Sequence, residues 1–366
     1  MDTIEYLKTS ELVFRVQNYF GVQVKEDGKD KREFIVTNRF WHYLFLFGTE
    51  LGDELFYSIF IPFWFWNIDG YVGRRVVLVW AMAMYTGQAI KDIIRWPRPG
   101  YPVIRLQNKW ALEYGMPSTH AMVGISIPFS VLLFTLSRYQ YNVALGLAFA
   151  VTLCTLICMS RLYLGMHTVL DILAGLALAI SLMFVLVPSA NYIDNYLLTN
   201  PTSPIMLLVT SILMIIYHPN SDKWTPTRGD TTMILSVSVG AHIGAWLNYQ
   251  TGNMSPAELS PPYAIYWPSY YMIGCIILRT ILGLALVLAT RTIAKKLSYN
   301  FFCALLKQDV DDIRKSENTL ENKHKNIVEI GCKYVTCWSI GFNILYSIPH
   351  IFRMLQIERP NFYTEI

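Results

Sequence analysis

Apolar stretches of roughly 18 to 22 residues recur from near residue 40 to near residue 352, each long enough to cross a hydrocarbon core of about 30 Å as a helix. The pattern predicts spanning helices over 46–67, 72–94, 118–137, 141–160, 168–188, 203–218, 230–249, 268–290 and 331–352. The expected fold class is all-α, a polytopic membrane helical bundle of about nine transmembrane helices. Three regions follow: a polar segment over 1–38, a first group of spans over 39–190, and further membrane helices over 191–366 with a polar loop at 291–330. In the first region Phe14, Val16, Tyr19 and Phe20 predict a short amphipathic helix lying on the membrane surface. Pro97, Pro99, Pro102 and Pro117 each remove a backbone donor and oppose helix continuation, so a structured loop is expected between the second and third spans. No internal repeat marks a transporter-like duplication.

Composition agrees with the pattern. Of 366 residues 53% are hydrophobic and only 15% charged, against about one quarter charged in soluble domains. A water-soluble globule and a disordered chain are excluded. The net charge of +4, without a basic domain, makes nucleic acid an unexpected partner. Six cysteines, at 154, 158, 275, 303, 332 and 337, form no CxxC knuckle and predict free, mostly buried thiols. The first forty residues lack the pattern of a signal peptide, which leaves insertion to the first membrane helix.

Ionisable residues at a membrane boundary are costly, and here they gather in three clusters. Lys91, Arg95 and Arg98 close the second predicted span, Pro117-Ser118-Thr119-His120 opens the third, and Ser160 to Asp171 runs from the fourth span into the fifth. The first two share one loop and two spans separate the second from the third, so all three fall on one side of the membrane. Together they supply three permanent cations (Lys91, Arg98, Arg161), two imidazoles, a hydroxyl and a carboxylate, an inventory suited to a phosphate dianion. Arg98 and Arg161 can each grip two phosphate oxygens, Lys91 adds a point charge and Ser118 a hydrogen bond. A helix beginning at Ser118 also presents free N–H groups to an anion. His167 and Asp171 share a helix face, so Asp171 can fix the imidazole tautomer while His167 attacks phosphorus. His120 is then the acid for the leaving oxygen and the base for water. No metal or other cofactor is needed, because the cations stabilise the transition-state charge.

Singly, Lys91, Arg95 and Arg98 could be interfacial anchors, and Arg95 is left in that role. A zinc site would need three or four convergent ligands, and the two imidazoles and one carboxylate here are surrounded by three cations that would repel a metal. A serine hydrolase centred on Ser118 or Ser160 lacks a GxSxG elbow. His242 and Arg279, inside later spans, are expected to make structural hydrogen bonds, and Cys154 and Cys158 to pack.

The patterns Lys-x6-Arg-Pro at Lys91, Arg98 and Pro99, Pro-Ser-x-His at Pro117, Ser118 and His120, and Ser-Arg-x5-His-x3-Asp at Ser160, Arg161, His167 and Asp171 resemble the type-2 phosphatidic acid phosphatase (PAP2) superfamily. They cover about 81 residues. Thr119 stands where that superfamily usually has Gly, a departure that looks like its sphingosine-1-phosphate phosphatase branch, and there the resemblance extends along most of the chain. It implies a metal-independent phosphohydrolase of the endoplasmic reticulum membrane acting on sphingosine 1-phosphate and related long-chain base phosphates, with its catalytic core in 39–190. It also implies His167 as nucleophile, Asp171 as its orienting carboxylate, His120 as leaving-group acid, and Lys91, Arg98, Ser118, Thr119 and Arg161 as phosphate ligands. The expected partners are the lipid phosphate and membrane lipids; a homodimer stays open, the last four spans serving to support the core, to admit substrate or to form a dimer contact. A sugar-phosphate phosphatase and a non-catalytic lipid-phosphate transporter or receptor stay open as alternatives.

Sidedness draws opposite expectations. The first 39 residues carry seven Lys and Arg and 291–333 carry nine, all on the side of the clusters, against Arg74, Arg75, Arg138, Arg353 and Arg359 opposite. The positive-inside rule then places the site in the cytosol, whereas the resemblance implies a lumenal site. The lumenal placement is carried forward. Asn253-Met254-Ser255 is a glycosylation sequon opposite the clusters, weakened by Pro256.

Overall fold

The computed structural model describes residues 3–24, 34–107 and 109–366, and is almost entirely helical. Lys25, Lys29, Lys31 and Arg32 of the N-terminal charge count lie outside the described residues. The chain opens with α1 (Thr3–Leu7) and α2 (Ser10–Tyr19), then a short antiparallel pair, Val22–Val24 with Phe34–Val36. The amphipathic helix exists, and its apolar face packs on protein. Val13 of α2 is buried with Val103, Leu162 and Ile172. Gln17, also buried, donates from Nε2 to the carbonyls of Ile104 (2.7 Å) and Tyr163 (2.9 Å) and accepts from the N–H of Ile104 (3.1 Å). The apolar face finds protein because those loops present both a matching apolar surface and unpaired backbone groups.

The first predicted span is two helices, α3 (Arg39–Glu50) and α4 (Glu54–Asn67). After it come α5 (Gly70–Ile94), α6 (Thr119–Leu136), α7 (Val143–Tyr163), α8 (Val169–Thr199), α9 (Ser203–Ile216), α10 (Thr227–Gln250) and α11 (Tyr270–Leu305). The region 291–330, expected as a loop, is largely helical. It takes the end of α11, α12 (Val310–Lys315) and the start of α13 (Lys323–Leu345), with α14 (Ser347–Met354) following a break at Tyr346. At 36 residues, α11 is about 54 Å long and exceeds a hydrocarbon core.

Among the described residues four helices, α6, α7, α8 and α11, are long and apolar enough to cross a membrane. Apolar faces of α7, α8 and α11 point outward, whereas α5 and α10 lie inside the bundle and bury polar groups: Arg74, Arg75, Lys91 and Asp92 on one, Thr231, His242 and Asn248 on the other. Such groups lower the hydropathy of a helix that packs on protein and not on lipid. The crossing of α10 with α13 is tight. A Cβ on Gly240 would sit 2.1 Å from the Trp338 carbonyl oxygen, and one on Gly341 the same distance from that of Val237, so the backbones touch as small residues allow in membranes.

The end of the bundle where α5 begins is sealed by ions. Asp194 of α8 receives Arg74 on both oxygens (Nε 2.9 Å, Nη2 3.1 Å) and Arg75 Nη1 at 2.7 Å, all buried. The opposite end, where α5 and α7 finish and α6 and α8 begin, gathers the clustered motif residues.

Candidate active site

Alternating helix direction brings the three clusters together. Lys91 sits in the last turn of α5 and Arg98 in the loop beyond it; Ser118 caps α6, whose first turn holds Thr119 and His120. Arg161 lies in the last turn of α7, His167 in the connection to α8, and Asp171 in the first turn of α8. All eight are buried. The Ser118 N–H donates to the Asp171 carbonyl at 3.0 Å. One turn along α8, a Cβ on Gly175 would lie 2.6 Å from the Ser118 carbonyl oxygen, so only glycine lets the two helix starts approach this closely.

The two oxygens of Asp171 differ. Its Oδ2 accepts from the Thr168 N–H (2.7 Å) while Thr168 Oγ1 accepts from the Asp171 N–H (3.2 Å), a reciprocal cap that fixes the start of α8. Its Oδ1 has no protein partner. His167 Nδ1 faces this carboxylate at 3.8 Å, beyond hydrogen-bond length. The other ring nitrogen, Nε2, lies 3.3 Å from Arg98 Nη1, which also donates to the Met166 carbonyl at 2.8 Å. Burial, and then the positive fields of Arg98 and Arg161, hold the His167 imidazole well below its ordinary pKa. Its neutral form, the one with a lone pair, is favoured.

The cations are individually held. Arg98 Nε donates to the Glu113 carbonyl (3.0 Å). Arg161 Nη1 donates to Thr49 Oγ1 (2.5 Å) and Gln107 Oε1 (3.4 Å), leaving Nε and Nη2 unpartnered. Lys91 Nζ donates to Glu113 Oε2 (2.5 Å) and Thr119 Oγ1 (3.0 Å). The Thr119 side chain thus supports Lys91, leaving the backbone N–H of Thr119 as the group to offer an anion. Ser118 Oγ accepts from the Ala121 N–H (3.4 Å), and its own proton can still be donated. His120 lies edge-on to Trp110 at 6.1 Å, with Nε2 unpartnered.

Glu113 and Thr49 were not singled out from the sequence. Glu113 sits in a loop where an acid reads as solvated, yet it is 4% exposed. Thr49, at the end of α3, carried no motif. The proline spacing pointed to the structured loop but not to its carboxylate. Arg95 is half exposed and donates to the Asn220 carbonyl (2.9 Å) instead of joining the site. His242 bonds the Ser238 carbonyl (2.8 Å), and Arg279 donates to Asn67 Oδ1 (3.0 Å) and the Ile357 carbonyl (3.1 Å), both away from the cluster.

A cluster of buried guanidinium N–H groups, a lysine, a helix start and two imidazoles has the chemistry to hold a tetrahedral dianion and move one proton. Known proteins give the same direction. The family model of the PAP2 superfamily matches residues 73–194, which include all eight motif residues. Sphingosine-1-phosphate phosphatase 1 of Rattus norvegicus is 40% identical over 88% of this chain and 74% of its own length. Sphingosine-1-phosphate phosphatase 2 is 37% identical in Mus musculus, over 97% of this chain and 99% of its own, and 38% identical in Homo sapiens, over 89% and 81%. No solved structure matches the chain.

Proposed function

The chain belongs to the PAP2 superfamily, among the sphingosine-1-phosphate phosphatases, and from that membership we propose that it hydrolyses sphingosine 1-phosphate and related long-chain base phosphates to the free base and inorganic phosphate. Lys91, Arg98, Arg161, the Ser118 hydroxyl and the Thr119 N–H hold the phosphate oxygens. His167 Nε2 attacks phosphorus in line as the ester P–O bond breaks, and His120 gives its proton to the departing alkoxide. Asp171 stabilises the imidazolium so formed. His120 then takes a proton from water, which attacks the phosphohistidine and frees His167 and phosphate. No metal takes part in this scheme, since the three cations occupy the ground where a metal would neutralise charge.

The observation that carries the reading is the orientation of His167, with one nitrogen toward Arg98 and the other toward Asp171. Phosphate release from sphingosine 1-phosphate in membranes, with excess EDTA, is expected to persist in the wild type and to vanish in His167→Ala. Loss of wild-type activity to EDTA overturns the metal-free scheme, and retention by the variant overturns the nucleophile.

Nine spans are proposed: α4 through α11, and α13. The protein is placed in the endoplasmic reticulum membrane with the site facing the lumen, as the resemblance implies. The docking of α2 on the site end supports a shared side for the N-terminal segment and the site, and its Lys and Arg favour the cytosol by the positive-inside rule. A glycosylation acceptor introduced next to α2 decides: modification supports the lumenal placement, and modification only of an acceptor at the α9 end of α8 overturns it.

A further inference from the structure

The phosphate site contains a carboxylate that phosphate hydrolysis does not use. Glu113 is buried, its Oε2 is held by Lys91 at 2.5 Å and lies 3.9 Å from Arg98 Nη2, and its Oε1 has no partner. A fixed negative charge among phosphate-binding cations repels any phosphate. An ammonium beside the phosphate gives this buried carboxylate a partner that a phosphate alone cannot supply.

We propose that Glu113 is a specificity residue, whose free Oε1 accepts a charge-assisted hydrogen bond from the ammonium of a 2-amino lipid phosphate. The assignment rests on the phosphatase reading above and adds the reason for its choice of lipid. In a long-chain base phosphate the amine is three bonds from the ester oxygen, so a phosphate held by Lys91 and Arg98 brings the ammonium to the carboxylate that already touches Lys91. Oε2 keeps Lys91 in place while Oε1 takes the ammonium. Lipid phosphates without the amine meet the same carboxylate as repulsion alone, and a site built for a polar group rejects analogues lacking it.

The test compares kcat/KM for sphingosine 1-phosphate and for the analogue bearing a hydroxyl in place of its 2-amine, using the full chain in membranes. The wild type is expected to prefer the amine at least tenfold. Glu113→Gln should erase the preference, lowering the rate on the amine and raising it on the hydroxyl analogue, and Glu113→Asp should keep part of it. An unchanged ratio in Glu113→Gln, with both rates falling together, overturns the proposal and leaves Glu113 a positioning group for Lys91. Should Glu113→Gln fail to accumulate, the wild type alone still decides, because equal kcat/KM for the two lipids overturns the proposal. Absence of phosphate release from either lipid by the wild type would instead strike the underlying phosphatase reading.

Discussion

The backbone N–H of Ser118 is bonded to the backbone carbonyl of Asp171 at 3.0 Å, so the start of α6, proposed to bind phosphate, is tied to the first turn of α8. Gly175 permits that contact. Gly175→Leu should push the two helix starts apart and, through misplacement on the scale of 1 Å, lower kcat about 100-fold. Turnover per folded molecule checks it, and unaltered turnover would show that the seam does not position the site.

Asp171 separates stability from chemistry. Asp171→Asn keeps an oxygen that can cap α8 and should leave the thermal midpoint near the wild type, while kcat falls about 10²- to 10⁴-fold with the loss of imidazolium support. Asp171→Ala should lose the cap as well, at a cost of about 1 kcal/mol. Thermal unfolding in detergent beside phosphate release would resolve the pair; equal midpoints would count against the capping role.

The low pKa of His167 has a sign that can be followed. A depressed folded value means that the unfolded chain binds a proton the folded one does not, so stability is full above the ordinary histidine value and falls as pH drops below about 6.5. Replacing Arg98 by Gln removes a repelling cation, so the acid limb of kcat/KM should move to higher pH. A limb that stays put or moves to lower pH would refute the assignment to His167.

Much of the candidate site was legible because it consists of residue types that membrane helices otherwise avoid. Lys91, Arg98, Arg161, His120 and His167 stand out against apolar surroundings, and helix direction alone forces their ends together. Glu113 was hidden because a carboxylate in a polar loop is ordinary until packing buries it. Span boundaries blurred where hydropathy and packing diverge: α5 and α10 are polar because protein surrounds them, and α11 outruns its apolar stretch into a region expected as loop. The docking of α2 could not be read, since an apolar stripe has the same appearance whether protein or lipid covers it.

At the other end of the bundle, Asp194→Asn would leave Arg74 and Arg75 buried without their counter-ion, at a cost of about 3–5 kcal/mol. The expectation is a much lower thermal midpoint with normal turnover in the fraction that folds. A normal midpoint with impaired turnover would mean that this network communicates with the site.

Gln17→Leu removes three bonds to the loops around the site, each worth about 0.5–1.5 kcal/mol. Limited proteolysis should then cut near α2 faster than in the wild type. Equal cutting rates would show that apolar packing alone seats the helix.

Those three bonds also set an order of assembly. Gln17 leaves the ribosome 87 residues before Ile104 and 146 before Tyr163, a wait of about 7–30 s at ordinary synthesis rates. The first helices made are therefore seated only after α7 has been made. They close over loops that must already be in place, so a docked N-terminal arm reports that the segments around Ile104 and Tyr163 have come together.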